Sequence, residues 1–430
     1  MNVGDVGFSA GGAFFTCIGF NPAGLPYVGY LDYANSGKAS VMKFDGTNWV
    51  YVGSPGFSAV YANCLRLAIS PNDSQPLVSY QMGDYPYKAS VMKFDSNNWT
   101  TVGPEGFSPD KADNPSLAFD TLGVPYVAYI DYANSGKCTV MKFDGINWVL
   151  VGIAGFTTGG ISSPCLVFSP SGEPNVAYRD FANNFKGTVM KFNGSNWVTV
   201  GNAGFSAGDV AQISLAFNSS GEPYVAYSDL VNSLKATVMK FNGTNWLSVG
   251  NEGFTAGTAF IPSLAFSPTD NEPYVAYVDT LNNYKATVMK FDGTNWVIVG
   301  NAGFSEGWMQ GISLAFRQSG QPYVAYTDIA NEYKATVMKY DSVFVGINEH
   351  QPSQFSLYPN PVETKLTIDL KNLPGILDRI EITDIRGMKM TEANSSLRKI
   401  IFDIESYPAG IYFVMLKMDN SVYFKKFCKK

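Results

Sequence analysis

The sequence contains almost no histidine, and this lack excludes several kinds of catalytic site. The single histidine, His350, lies outside the repeated part of the chain. The repeated part therefore cannot build a Ser-His-Asp triad, a histidine-rich zinc site or most sites that use histidine as a general base. We expect no metal and no cofactor in this protein.

Cysteine is also scarce, and its spacing fits no metal site. The five cysteines are odd in number, and they are Cys17, Cys64, Cys138, Cys165 and Cys428. Cys17 and Cys165 fall at matching positions of two repeats, where other copies carry Ser214 or Ser313. We interpret these cysteines as small buried residues, in preference to disulfide partners or nucleophiles.

Long apolar runs and an excess of positive charge are missing as well. No run approaches the roughly 18 apolar residues that a membrane span needs, so we expect none. Residues 1–352 carry a net charge of −9, against +3 for residues 353–430. Such an acidic surface is poorly suited to phosphate backbones, and we expect no nucleic acid partner. No signal peptide opens the chain, which starts in mid-repeat, so we expect that an upstream segment is missing.

Most of the chain consists of one sequence unit that is repeated seven times. Its Val-Met-Lys core recurs with 49 or 50 residues between successive lysines, which are Lys43, Lys93, Lys142, Lys191, Lys240, Lys290 and Lys339. A fixed period of this size is typical of solenoids, propellers and arrays. Aromatic residues at 14% and charged residues at 15% further indicate a folded, β-rich protein.

Each unit divides into four short strand patterns. In the fifth copy these are Ile213–Phe217, Tyr224–Tyr227, Lys235–Phe241 and Trp246–Gly250, separated by turn residues. Four antiparallel strands in about 49 residues make one propeller blade. The sequence predicts an all-β fold in which residues 1–347 form a seven-bladed β-propeller of four-stranded antiparallel blades.

The two ends of the repeated region leave the closure of the last blade open. The seventh copy lacks the tryptophan and continues through residues 342–346, whereas residues 3–9 at the start match the end of a fourth strand. Either segment could complete blade seven, and we favour residues 342–346. A tryptophan recurs in the other six copies, and we interpret it as packing between outer strands in preference to a sugar-binding site; the series is Trp49, Trp99, Trp148, Trp197, Trp246 and Trp296.

After a linker at residues 348–354, the pattern changes completely. Residues 357–361 read Leu-Tyr-Pro-Asn-Pro, residues 380–387 read Ile-Glu-Ile-Thr-Asp-Ile-Arg-Gly, residues 407–414 read Tyr-Pro-Ala-Gly-Ile-Tyr-Phe-Val, and residues 424–427 read Phe-Lys-Lys-Phe. In this order the four motifs resemble the type A C-terminal sorting domain of proteins exported by the type IX secretion system of Bacteroidota. The resemblance covers about 75 residues, and the alternative is an Ig-like domain that merely extends the chain.

The resemblance implies both a fold for this domain and a cellular destination for the protein. Residues 355–430 would form a small Ig-like β-sandwich that the outer-membrane secretion machinery recognises. The protein would then be secreted or attached to the cell surface after crossing the periplasm. The motif positions that carry this expectation are Tyr358, Pro359, Asn360, Pro361, Asp384, Gly387, Gly410, Tyr412, Lys425 and Lys426.

An aspartate closes the second strand of six repeats and precedes a loop with asparagine and lysine. Its carboxylate, together with the amide oxygen, could bind Ca²⁺. We favour a simpler role, in which the aspartate caps the amides of its own loop and pairs with the lysine. The aspartates are Asp32, Asp131, Asp180, Asp229, Asp279 and Asp328.

The connection between consecutive blades and the residue before the conserved aspartate vary most between copies. In an up-and-down blade both segments emerge on one face, so the variation gathers on one rim near the channel mouth. We expect this rim to bind a ligand, a glycan or a protein, although unconstrained drift of surface loops is the alternative. The candidate binding residues are Phe14, Phe15, Tyr61, Asp110, Asp113, Arg179, Asp209, Gln212, Phe260, Trp308, Met309 and Gln310.

Acidic residues that occur in single copies also raise the possibility of catalysis by a carboxylate pair. Asp110, Asp113, Asp209 and Glu306 are such residues, but they are too scattered to form a pair by themselves. We therefore expect an exported, monomeric binding or adhesion module and no enzyme. A carbohydrate-active enzyme, either a glycoside hydrolase or a lyase, is the second reading, and a structural surface component is the third.

Overall fold

A computed structural model describes residues 1–341, 355–370, 377–384, 389–393, 397–418 and 421–430. The chain divides into two compact units, Met1–Asp341 and Ser342–Lys430. No helix in the described part is long and apolar enough to cross a membrane.

The first unit is a seven-bladed β-propeller. Blades one to three consist of β1 (Ala13–Phe20), β2 (Pro26–Asp32), β3 (Lys38–Phe44), β4 (Trp49–Tyr51), β5 (Ala62–Ile69), β6 (Pro76–Met82), β7 (Ala89–Phe94), β8 (Trp99–Thr101), β9 (Ala112–Phe119), β10 (Pro125–Asp131), β11 (Lys137–Phe143) and β12 (Trp148–Leu150). Blades four and five consist of β13 (Ile161–Phe168), β14 (Pro174–Asp180), β15 (Lys186–Phe192), β16 (Trp197–Thr199), β17 (Val210–Phe217), β18 (Pro223–Asp229), β19 (Lys235–Phe241) and β20 (Trp246–Ser248). Blades six and seven consist of β21 (Ala259–Phe266), β22 (Pro273–Asp279), β23 (Lys285–Phe291), β24 (Trp296–Ile298), β25 (Met309–Phe316), β26 (Pro322–Asp328) and β27 (Lys334–Lys339).

Every blade is an antiparallel meander whose strands pair in chain order. The third and fourth strands are joined by a tight turn in which an aspartate or asparagine side chain caps two backbone N–H groups. In blade one, Asp45 Oδ1 accepts from the N–H groups of Thr47 and Asn48, both at 2.8 Å. A single-turn 3-10 helix follows the second strand in five blades, at Tyr33–Asn35, Tyr132–Asn134, Phe181–Asn183, Thr280–Asn282 and Ile329–Asn331.

The first strands form the inner wall of the ring. Each first strand contacts the first strand of the next blade, and β1 contacts both β5 and β25, so the ring is closed. The first strands have eight residues each, whereas the fourth strands have three. The tryptophans of the fourth strands of blades one to six fill the wide outer gaps.

These tryptophans join neighbouring blades, as the sequence predicts. Trp99 Nε1 of blade two donates to the carbonyl of Val52 at 2.7 Å, and its ring stacks on Phe57 at a centroid distance of 3.8 Å. Val52 and Phe57 belong to the connection that leaves blade one. The six tryptophans are buried or half-buried, so packing accounts for them and the sugar-site alternative does not.

The N-terminal residues close blade seven. Val3 N–H donates to Val337 O at 2.9 Å, Asn2 bridges Met338, and Phe8 stacks on Trp49 at 4.3 Å. Val3 thus takes the place beside β27 that Val52 takes beside β3. Our preference for residues 342–346 as the closing strand is therefore wrong, because the N-terminal segment already fills this position. Residues 342–346 themselves lie outside the described residues.

The second unit is a small β-sandwich of two sheets. One sheet has the order β28 (Ser356–Tyr358), β29 (Lys365–Asp369), β32 (Lys399–Asp403), and the other has the order β31 (Lys389–Ala393), β30 (Leu377–Asp384), β33 (Gly410–Met418), β34 (Ser421–Lys429). Alternate residues of both sheets meet in one apolar core, which includes Leu366, Ile368, Ile380, Ile382, Val414 and Phe427. The predicted fold class is confirmed in both units.

We predict that Phe8→Ala destabilises the propeller by about 2 kcal/mol, because it removes the ring by which the N-terminal segment stacks on Trp49 of blade one. Chemical denaturation of the full chain would measure the loss. Phe254→Ala, which removes the equivalent ring from Trp296, is the matched control and should cost a similar amount. A near-neutral Phe8→Ala beside a costly Phe254→Ala would show that another segment closes the ring.

Candidate functional site

One face of the propeller carries both kinds of variable segment, as the sequence predicts. Tyr33 N–H, in the loop between β2 and β3, donates to Gly12 O at 2.9 Å. Ala62 N–H, at the end of the connection from blade one to blade two, donates to Gly37 O at 2.9 Å. We call the face formed by the loops after each second strand and by the connections into each first strand the top face.

The conserved aspartates hold the loops of the top face in shape. Asp229 is buried; its Oδ1 accepts from Val231 N–H at 3.0 Å, and its Oδ2 accepts from Asn232 Nδ2 and Thr237 Oγ1, both at 2.9 Å. Thr237 Oγ1 in turn accepts from Gly253 N–H at 2.8 Å. The carboxylate therefore joins the loop, the third strand and the connection to the next blade.

The aspartate lock repeats in the other copies, with one correction to the sequence analysis. Asn and Ser or Thr side chains donate to the carboxylates of Asp32, Asp131, Asp180, Asp279 and Asp328. We expected lysine as the partner, but no ion pair joins these aspartates to a lysine within residues 1–341. The lysine stem instead packs over a glycine of the blade connection, as Lys235 does at Gly253.

The lock also argues against the calcium alternative. Its oxygens face N–H and O–H donors, which a cation would have to displace. In the part of the chain that the structure describes, no three His, Cys, Asp or Glu residues cluster in a way that could hold a metal ion.

Exposed aromatic side chains are concentrated on the top face. Trp308 is 54% exposed and lies against Tyr284 at 4.8 Å, and Tyr61 Oη lies 3.2 Å from Tyr33 Oη. Partial burial and the hydroxyl of Tyr33 raise the pKa of Tyr61 to about 12. The other exposed rings of this face are Phe15, Tyr33, Tyr85, Tyr87, Tyr132, Phe181, Phe185, Tyr284 and Tyr333.

Most of these rings belong to the loop after the second strand, which our candidate list omitted. The signal was present in the sequence, because this loop reads YANSG, YANSG, FANNF, LVNSL, TLNNY and IANEY in six of the copies. An aromatic or aliphatic residue stands at the first position in five of these copies and at the last position in four, while the central asparagine is constant. The lock fixes that asparagine and leaves the outer positions exposed.

Three of the predicted binding residues are less available than the sequence suggests. Met309 is 4% exposed and lies in the core between blades six and seven, which contradicts its placement on the rim. Phe260 packs against the same core, and Phe14 is half-buried between Tyr33 and Tyr333. Met309 occupies the first position of β25, where other blades have buried Ala, Ile or Val.

Three of the four charged candidates of the top face are engaged in ion pairs. Arg179 forms a two-pronged pair with Asp209, with Nε and Nη2 each 2.7 Å from a carboxylate oxygen, and its guanidinium lies over Phe185. Asp113 binds Lys111 at 3.0 Å and also accepts from Gln81. The hydrogen bond that Lys111 donates to Asp113 raises the pKa of Lys111. These two carboxylates are therefore held in place by basic partners, which favours a structural role over acid–base catalysis.

The remaining polar candidates are exposed. Asp110, Gln212 and Gln310 lie at the surface, and Gln212 Oε1 accepts from Ile261 N–H of the next blade at 2.8 Å. Gln212 lies at a β-bulge that recurs in every first strand and gives one residue a positive φ of 49 to 66°. These bulged residues form the mouth of the channel, and they are Phe15, Cys64, Asn114, Ser163, Gln212, Ile261 and Gly311.

Two residues below the bulge lies a layer that our candidate list missed. In six blades this position is Ser or Cys, namely Cys17, Ser116, Cys165, Ser214, Ser263 and Ser313, but in blade two it is Arg66. Arg66 is exposed although it belongs to the innermost strand, so its side chain lies in the channel. Aligning the repeats position by position would have revealed this exception.

The predicted sorting motif is spread over the β-sandwich. Tyr412 Oη donates to Pro408 O at 2.9 Å, Asn360 Oδ1 accepts from Cys428 N–H at 2.9 Å, and Lys425 Nζ donates to Phe355 O at 2.9 Å. The structure also places Tyr358, Pro359, Pro361, Asp384, Gly410 and Lys426 in this unit. Gly387 lies outside the described residues.

We predict that Asp229→Ala destabilises the propeller by about 3 kcal/mol, because Thr237, Asn232 and the N–H of Val231 lose a buried charged acceptor. Thermal and chemical denaturation would measure the change. Asp292→Ala removes an exposed turn cap of the same chemical type and should have a much smaller effect. Calcium and a chelator should both leave the melting temperature of the parent protein unchanged. A rise in melting temperature with calcium would instead support a calcium site at the aspartates.

Comparisons with known proteins agree with this architecture. Residues 356–430 match the family described as the secretion system C-terminal sorting domain. No curated protein matches the chain in sequence.

Among solved structures, the chain is similar to PorZ, an essential surface component of the type IX secretion system of Porphyromonas gingivalis. The TM-score is 0.52 at 14% identity, over 99% of this chain and 61% of that chain, so this protein spans less than two thirds of PorZ. A polysaccharide lyase that acts on ulvan matches with a TM-score of 0.53 at 12% identity, over 78% of this chain and 95% of the lyase. At these identities the likeness shows the fold alone.

The four motifs of the tail, its two-sheet sandwich and the family match over residues 356–430 lead to the same conclusion. The tail is a secretion system C-terminal sorting domain, and this chain is a β-propeller protein exported by the type IX system to the cell surface or beyond it.

Proposed function

We propose that the propeller is a saccharide-binding module, delivered to the cell exterior by its sorting domain. In this proposal residues 1–347 bind the ligand, and residues 348–354 are a linker. Residues 355–430 direct the protein to the outer-membrane secretion machinery. The observation that carries the proposal is the concentration of exposed aromatic rings on the top face.

Aromatic rings and planar amides are a suitable pairing for sugars. The C–H face of a pyranose packs on an aromatic ring, while its hydroxyl groups need donors and acceptors at the ring edge. Trp308 and Tyr132 offer exposed rings, and Gln212 and Gln310 offer amides beside the channel mouth.

The top face can vary without loss of the fold, which also suits a binding role. The aspartate lock fixes the loop backbone, and the exposed positions before and after it are free to change between blades. The opposite face has the short, repetitive turns between third and fourth strands, as at Asp45 and Asp292. We therefore place recognition on the top face.

We predict that Trp308→Ala and Tyr132→Ala each weaken saccharide binding about tenfold, which corresponds to about 1.4 kcal/mol. A glycan array of bacterial, plant and algal polysaccharide fragments would identify the best binder, and calorimetry with that fragment would give the affinities. Ile146→Ala is the matched control, because it removes a 75% exposed apolar side chain from a turn between third and fourth strands. Equal binding by all three variants and the parent would refute recognition by the top face.

The same fragments would test the enzymatic alternative. Each array hit is incubated with the full chain, and the reducing ends and unsaturated sugar products are measured. Breakdown of a fragment would make the propeller an enzyme, whereas binding without breakdown supports the binding module.

A further inference from the structure

The first strand of each blade has an edge that faces the channel, and in most blades the preceding blade caps one of its N–H groups. Leu166 N–H donates to Ser116 Oγ at 3.0 Å, and Leu264 N–H donates to Ser214 Oγ at 3.1 Å. The same contact joins Leu215 to Cys165, Leu314 to Ser263 and Ile18 to Ser313. We call these contacts the channel clasps.

Blade two cannot make a channel clasp with blade three. The clasp position is Arg66, whose guanidinium has no acceptor atom. Within residues 1–341, no side chain accepts from Leu117 N–H, the donor that corresponds to Leu166 N–H. The Leu117 N–H therefore lacks the side-chain acceptor that a channel clasp would provide, and the cationic Arg66 stands at the position that would supply this acceptor.

A second substitution in blade two compensates for the lost clasp. Ser79 stands where the other blades have Ala or Gly, and its hydroxyl donates to Pro115 O of blade three at 3.2 Å. These two departures from the repeat occur in a blade that also has Met82 in place of the lock aspartate, and one of the two replaces the structural contact that the other removes. The joint occurrence of Arg66 and Ser79 is difficult to explain by drift, because the propeller gains no additional contact when Ser79 replaces the clasp that Arg66 removes.

Among the residues that the structure describes, Arg66 also has no acidic partner. Its one hydrogen bond in the described part of the chain is from Nη1 to Leu65 O at 3.0 Å. Asp113, a rim acid of the following blade, is already bound to Lys111 and Gln81. At the same level of the channel wall, the other six blades have Ser or Cys. Two positions further along each first strand, the residue is Gly, Ala or Val.

The charge of Arg66 acts across the channel. Burial raises the pKa of Cys17 in blade one to about 11, and burial also raises the pKa of Cys165 in blade four. In both cases the guanidinium of Arg66 opposes the shift. The field of this one cation therefore reaches thiols on two other blades.

We propose that the seam between blades two and three is an oxyanion-binding site, in which the Arg66 guanidinium and the Leu117 N–H hold a carboxylate or sulfate group inside the channel. A planar guanidinium and a backbone N–H are the usual donors for such groups. If the saccharide function proposed above holds, this site selects an acidic sugar whose charged group enters through the top face.

The site is tested on the full chain with sodium sulfate and sodium acetate at constant ionic strength. We predict that Arg66→Ser lowers the affinity for either anion about tenfold, measured by calorimetry and by the anion-dependent rise in melting temperature. Arg66→Ser introduces the residue that four other blades carry, so it should restore the clasp to Leu117 and leave the fold intact. Arg317→Ser makes the same charge change at an exposed turn between first and second strands and should leave anion binding unchanged.

Three outcomes separate this site from the saccharide function. Unchanged sulfate and acetate affinity in Arg66→Ser would overturn the oxyanion site, even if neutral sugars still bound to the top face. Loss of anion binding in this variant, with no saccharide bound by any protein, would keep the site and refute the saccharide function. Loss of binding to uronic acid or sulfated fragments in Arg66→Ser, with neutral fragments unaffected, would support both.

Discussion

The ring depends on one residue in each blade connection, whose backbone N–H and C=O bond to two different blades. Val52 N–H donates to Val41 O of blade one at 2.9 Å, and Val52 O accepts from Trp99 Nε1 of blade two at 2.7 Å. Because both polar groups of this buried residue are satisfied by different blades, neither blade can move without breaking a bond. Val3 makes the same two bonds to Val337 and Trp49, which is why the N-terminal segment can close the circle.

The period and the strand patterns were enough to predict the propeller, since seven copies of one blade leave few other ways to bury their apolar faces. The tryptophans and the shared face of the loops and connections were predicted for the same reason. The tail was predicted from its motifs. The closing strand was not, because residues 3–9 and 342–346 both continue the pattern and only three-dimensional pairing distinguishes them.

The candidate site was predicted less well, and the β-bulge is the main cause. Alternation along a strand has a period of two, but the bulge inserts a residue after the second position of each first strand. Side chains beyond it change sides, so the layer that contains Arg66 did not stand out from the alternation. Met309 lies before the bulge and was assigned to the rim as part of the variable connection, although it is the first residue of β25 and this position is buried in every blade. The positive φ at Phe15 and Ile261 has no signature in the sequence, because neither residue type favours that conformation.

The repeat shows where function can enter such a fold. On the top face the aspartate lock uses the backbone and a constant asparagine, so the exposed loop positions can change at little cost to stability. In the channel there is no such freedom, because the clasp positions hold adjacent blades together. Arg66 occupies one of these constrained positions, and Ser79 supplies the contact that it cannot make. A change that needs a second change to preserve the ring indicates selection for the guanidinium itself, and we therefore propose that the channel, and not only the rim, is part of the binding surface.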